Sequence, residues 1–188
     1  MLEPGNFIAG PTAGKLLAEF GAEVIKIEQP GSGDQVRRWR PFGDETSMLR
    51  KTLSRNKKSV AIDLRKPQGA EIVRKLARHC DALIENYRPG RLESWGLGPD
   101  PLRQESPQLI VIRVSGYGQS GPYRDRVGFG GVAEAMGGIR NVTGYPDRQW
   151  SPPWPNTAPT ELSGNKPGTS SRESPHPTHI SAATVSGS

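Results

Sequence analysis

Cysteine is all but missing from this chain: Cys80 is the single one among 188 residues. An internal disulfide framework is therefore excluded, and a reducing compartment fits. Long apolar runs are missing too, none nearing the ~20 residues of a membrane span. The N-terminus has no basic stretch leading into an apolar core, which argues against a secretory signal. We expect a cytoplasmic protein, with the mitochondrial matrix as the alternative. Aromatics make up only 6%, and no five consecutive residues carry like charge. The net charge of +6 is thus a poor sign of nucleic-acid binding, and no nucleic-acid or membrane partner is expected. A phosphate-rich small ligand suits such a balance as well.

Apolar residues reach only 33%, beside 23 Gly and 18 Pro. That depletion is concentrated in residues 148–188, rich in Pro, Ser and Thr and without apolar periodicity. Such a segment cannot bury enough surface to offset chain entropy, so a disordered tail is expected. The change is abrupt and falls within what reads as a domain, 1–147. A reading-frame error, an alternative transcript or a degraded gene would each produce it.

Residues 1–147 show alternating element types. Pro11–Phe20 predicts a helix with Leu16, Leu17 and Phe20 as its apolar face and Gly21 as its stop. Ala22–Glu28 and Ser59–Leu64 predict strands. Pro67 opens a helix to about His79, with Ala70, Ile72, Val73, Leu76 and Ala77 inward. Asp81–Glu85 and Leu109–Ser115 predict two further strands, with short helices near Arg91–Trp95, Pro101–Ser106 and Gly130–Met136. Strands alternating with helices predict an α/β fold: an incomplete, parallel, Rossmann-like sheet with crossover helices.

Basic residues fall just after the predicted strands: Arg37 and Arg38 beyond the Gly31-Ser32-Gly33-Asp34 turn, then Arg65 and Lys66, then Asn86 and Arg88. In an open parallel sheet these loops gather at one edge, where phosphate-bearing ligands bind. Solvated surface charge explains the same spacing, and the glycine turn lacks the third glycine of a dinucleotide fingerprint. His79, His176 and His179 have no Asp or Cys partners at metal-ligand spacing, so no metal site is predicted.

Several motifs occur in one order: Ala9-Gly10-Pro11, Gly21–Glu28, Gly31–Asp34, Arg55-Asn56-Lys57-Lys58-Ser59, Glu85–Gly90 and Gly116–Pro122. Over roughly residues 7–147 the chain resembles the class III CoA-transferases (CaiB/BaiF type). Their relatives include 2-methylacyl-CoA racemases. The resemblance implies transfer of CoA from an acyl-CoA to a carboxylic acid through an aspartyl–CoA thioester, with no permanently bound cofactor. It implies that Ile8 and Ala9 line the thioester end, Arg37 meets phosphate, Ile62–Arg65 hold the adenine, and Asn86, Tyr87 and Arg88 contact the pantetheine or pyrophosphate. Arg126 and Phe129 would lie near the reacting end. At Ser94 some members carry a phosphate-binding Arg.

Racemase relatives place a His where Phe129 stands, and Phe129 cannot serve as their base. The transferase nucleophile is expected in a Gly-Asp turn some twenty residues beyond Gly138. No Asp follows Asp147, which lies too early, and Glu161 sits in Thr160-Glu161-Leu162 without such a turn. No catalytic residue is therefore named. Relatives also begin with a further strand, here reduced to Met1–Gly5, and continue into a second domain. They form interlocked homodimers, which a chain of this length could not complete. The expectation is the N-terminal, CoA-binding part of a CoA-transferase, truncated or frame-shifted and inactive alone. A racemase-type relative and a non-catalytic CoA- or polyanion-binding module remain alternatives.

Overall fold

The computed structural model describes residues 1–143 and 183–186. The chain opens with strand β1 (Leu2–Glu3), helix α1 (Ala9–Glu19) and β2 (Val24–Glu28). A 3-10 turn (Gln35–Arg38), a hairpin of β3 (Phe42–Gly43) and β4 (Thr46–Ser47), and α2 (Met48–Leu53) lead to β5 (Lys57–Ala61). Then follow α3 (Pro67–Ala77), β6 (Ala82–Glu85), α4 (Arg91–Ser94), α5 (Pro99–Glu105) and β7 (Ile110–Val114). Helices α6 (Gly130–Met136) and α7 (Ile139–Val142) and a last strand, β8 (Ala183–Ser186), complete the described elements.

The main sheet runs β5-β2-β1-β6-β7-β8. Its first five strands pair parallel, and β8 joins β7 antiparallel, with Val111 opposite Ser186. The α/β class and the parallel sheet are as expected. The reading of residues 148–188 falls largely outside the described residues. The β1 strand, which the alternation did not announce, occupies the middle of the sheet despite its two residues.

Leu2, Leu83 and Val111 face Ala70, Val73 and Ala77 of α3 and Leu92, Leu97 and Leu102 of the following segment, forming the core. Each buried leucine contributes about 2 kcal/mol relative to an exposed one. Pro67 starts α3 at a position where its missing N–H costs nothing. Ile72 departs from its expected inward place and is largely exposed, because α3 rests on the row Gly69, Ala70, Val73 and Ala77.

Helix α1 reverses the expected polarity. Leu16, Leu17 and Phe20 are exposed, Phe20 at 90%, while Gly10, Pro11, Gly14 and Ala18 are buried. The reason lies beneath it: a methyl group on Gly14 would stand 1.8 Å from Glu3 Oε2. Only small residues let this helix settle over a charged strand. Gly21, at φ 96°, ends it as predicted.

Candidate functional site

From β1 the chain winds through α1 and β2 toward β5, whereas from β6 it winds the other way toward β7. At such a reversal the loops beyond neighbouring strands diverge and leave a crevice at their carboxyl ends. Here that crevice is a cleft of about 360 Å³, walled by Pro4 and Asn6 after β1, Glu28 to Asp34 around the end of β2, Ile62 to Arg65 after β5, and Tyr87 after β6. Arg38 and Trp95 line it as well.

Central parallel strands are ordinarily apolar, yet β1 and β2 carry Glu3, Lys26 and Glu28, all buried. Each is paired, as buried charge requires. Lys26 Nζ lies 2.8 Å from Asp34 Oδ2 and 3.5 Å from Glu3 Oε1, and donates to the Gly5 carbonyl. Lys57 Nζ donates to Glu3 Oε2 at 2.6 Å and to the Pro11 carbonyl at 2.7 Å. Burial pushes the Glu3 carboxyl up and the Lys57 ammonium down; their mutual hydrogen bond opposes both shifts.

Beside the cleft, Glu28 accepts from Arg37 Nε and Nη2 at 2.6 Å each, from the Asp34 N–H at 2.8 Å and from the Ser59 hydroxyl at 3.0 Å. On the β6 side, Glu85 accepts from Arg113 Nε at 2.7 Å, and Arg113 also grips Glu93. Tyr87 donates its hydroxyl to the Pro4 carbonyl at 2.7 Å, and burial raises its pKa to about 12.

Of the residues expected at the site, Ile62, Arg65 and Tyr87 line this cleft. Arg65 pairs with Asp63, Nε to Oδ1 at 2.8 Å and Nη2 to Oδ2 at 2.9 Å, leaving its outer face to solvent. Arg37 is half-buried and turned onto Glu28. Asn86 turns its amide toward the β1–α1 turn, accepting from the Asn6 N–H at 2.7 Å and donating to the Asn6 carbonyl at 2.8 Å. Ile8 and Ala9 are exposed where α1 begins, and Arg88 is exposed beyond β6. Arg126 stacks on Tyr123 at 4.1 Å, and Phe129, 69% exposed, precedes α6; neither lines the cleft. Asp147 and Glu161 lie outside the described residues.

Spacing missed Lys26, Asp34 and Glu28 as cleft residues. For Lys26 and Glu28 the signal was present, as charged positions inside a strand otherwise fit to be buried; Asp34 stands beyond the strand, capping the 3-10 turn. Among the described residues no group of three His, Cys, Asp or Glu side chains is placed to hold a metal ion. Nor is any helix there long and apolar enough to cross a membrane.

Residues 1–162 match the family model described as CoA-transferase family III. The chain is 56% identical over 149 residues to a succinyl-CoA–D-citramalate CoA-transferase of Chloroflexus aurantiacus, covering 79% of this chain and 37% of that protein. It is 40% identical over 163 residues to the human succinyl-CoA:glutarate CoA-transferase, covering 86% of this chain and 37% of the relative. A crystal structure of a CAIB/BAIF family protein from Brucella suis superposes with a TM-score of 0.75 at 36% identity, over 80% of this chain and 41% of that one. The chain thus spans well under half the length of these relatives.

Proposed function

The chain belongs to CoA-transferase family III, and from that premise we propose that the cleft at the winding reversal receives the nucleotide end of coenzyme A or an acyl-CoA. One observation carries the reading. The cleft joins an apolar edge, Ile62 and Leu64, to Arg38, a guanidinium with no carboxylate partner among the described residues. A nucleotide asks for both in one place: a face for the base and a free cation for phosphate. Arg37 and Arg65 are largely committed to Glu28 and Asp63, so we assign the leading phosphate contact to Arg38 and give Arg65 its remaining outer nitrogen. Tyr87, Asn86 and Arg88 follow along the pantetheine arm, toward Ile8 and Ala9; Arg126 and Phe129 belong to the reacting end.

For a complete reaction we propose transfer of CoA from an acyl-CoA to a carboxylic acid through an aspartyl–CoA thioester. Such a covalent relay divides one hard exchange into easier steps. No residue here is assigned as the nucleophile, since no aspartate follows Asp147. We therefore propose that the 188-residue chain binds CoA thioesters without turning them over. The names of the relatives make succinyl-CoA the first donor to try.

Titration calorimetry with CoA tests the reading. One ligand per chain is expected, with weaker binding of 3′-dephospho-CoA. Equal binding of heparin with steep salt dependence would replace the cleft with a generic polyanion surface. Succinyl-CoA turnover by the purified chain would overturn its assignment as inactive.

A further inference from the structure

Phe7 is held at φ 64°, a left-handed conformation that a bulky residue does not adopt unaided. What holds it is Asp34. Both carboxylate oxygens accept the Phe7 N–H, at 3.0 and 3.1 Å, and Oδ1 also accepts the Val36 N–H at 3.0 Å. Asp34 is only 5% exposed and is neutralised by Lys26 at 2.8 Å, which in turn donates to the Gly5 carbonyl. Asn6, between Gly5 and Phe7, is clasped by Asn86 from a third side.

Asn6 and Asp34 both line the cleft, one on the wall after β1 and one on the wall after β2. Asn6, Phe7, Lys26 and Asp34 all lie outside the apolar core cluster. The Lys26–Asp34 pair on the β2 side therefore ties that wall to the turn after β1, through the Phe7 N–H and the Gly5 carbonyl.

We infer that Asp34 is a positioning residue: by holding Phe7 in its left-handed conformation it fixes the β1–α1 turn, and with it the shape of the cleft that receives the nucleotide. The inference rests on the CoA reading above for its functional half. Freed from Asp34, Phe7 reverts to a negative φ and carries Asn6 and Ile8 with it. A glycine at position 7 would hold the turn without help, because it adopts positive φ at no steric cost.

The test uses the full chain labelled with ¹⁵N-phenylalanine, whose four phenylalanines give four amide resonances. Asp34→Ala should move the Phe7 resonance, leave those of Phe20 and Phe129 in place, and weaken CoA binding by about tenfold, as loss of a buried charged acceptor implies. Asp34→Asn keeps an acceptor for the Phe7 N–H and should return affinity to within about threefold. In the Phe7→Gly background, adding Asp34→Ala should cost less than about threefold. An unmoved Phe7 resonance in Asp34→Ala, or equal CoA losses with and without glycine at position 7, overturns the inference. Should Asp34→Ala alone fail to fold, the Phe7→Gly pair decides. If the wild-type chain binds no CoA, the nucleotide reading falls, and the Phe7 resonance alone decides whether Asp34 sets the turn.

Discussion

Glu28 and Arg37 meet through two parallel contacts of 2.6 Å, Oε2 with Nε and Oε1 with Nη2, at the edge of the cleft. Burial alone would raise the Glu28 carboxyl, but Arg37, the Asp34 N–H and Ser59 outweigh it and lower its pKa from 4.5 to about 2. The folded state therefore binds this proton less readily than the unfolded chain. Its stabilisation is complete above pH 4.5 and is lost as pH falls toward 2. Burial shifts Glu3 and Glu85 the other way, so they favour the folded state below the ordinary carboxylate range and less so as pH rises. Urea unfolding at pH 7 and pH 3 should show a net acid loss in the wild type, shrinking in Glu28→Gln. A wild-type difference that Glu28→Gln leaves unchanged contradicts the assignment. Arg37→Ala should cost on the order of 2 kcal/mol at pH 7, between the values of exposed and fully buried pairs.

Gly14 should be intolerant of even one methyl. Its added carbon would sit 1.8 Å from Glu3 Oε2 and 3.2 Å from Lys57 Nζ, both pinned. Gly14→Ala is expected to cost about 2–3 kcal/mol as overpacking against buried charge, despite alanine's better helix propensity. Gly130→Ala at the start of α6, where nothing lies within 4 Å, is the control and should be neutral or slightly stabilising. Thermal melts of the two variants check the contrast; similar midpoints would contradict it.

Tyr87 ties the end of β6 to the end of β1 through the Pro4 carbonyl. Its hydroxyl is held neutral up to about pH 12, from an ordinary 10.0, chiefly by burial. Stability from this group is full below pH 10.0 and lost as pH rises through about 12. Tyr87→Phe should cost about 1 kcal/mol, the net worth of one buried hydrogen bond, or more with the carbonyl left unpaired. Alkaline ultraviolet titration should show one late-ionising tyrosine in the wild type and none in the variant.

Arg38 and Arg37 are neighbours with opposite expected phenotypes. Arg38→Ala should leave the melting temperature alone, weaken CoA by about tenfold and flatten the salt dependence of binding, as loss of one phosphate contact does. Arg37→Ala should lower the melting temperature first. Calorimetry beside thermal melts separates the two. If Arg37→Ala alone impairs binding while folding is untouched, the phosphate contact belongs to Arg37.

Much of this was legible beforehand. The strands at Val24–Glu28, Ala82–Glu85 and Ile110–Val114, the start of α3 at Pro67 and the stop at Gly21 follow from short-range pattern. So does the gathering of Arg38 and Arg65 at one edge, since parallel alternation dictates where loops emerge, whereas Tyr87 was pointed to by the resemblance alone. The polarity of α1 was not legible. Leu16, Leu17 and Phe20 look like a core face until one knows that Glu3 and Lys57 occupy the space a core face would need. Strand β1 was pointed to only by the resemblance, as a remnant at Met1–Gly5; it is too short for periodicity, yet seated between β2 and β6.

The sequence by itself determined the alternation of strands and helices, the parallel class and the kind of residue found at the carboxyl edge. Those follow from local sterics and from burial periodicity, which act between near neighbours. Only the tertiary structure decided which charges are available. Arg37 is taken by Glu28 nine residues away, Asn86 by Asn6 eighty residues away, and Lys26 by Asp34 and Glu3, while Arg38 stays open. Charge pairing in a buried sheet depends on distance in space, and no spacing along the chain encodes it.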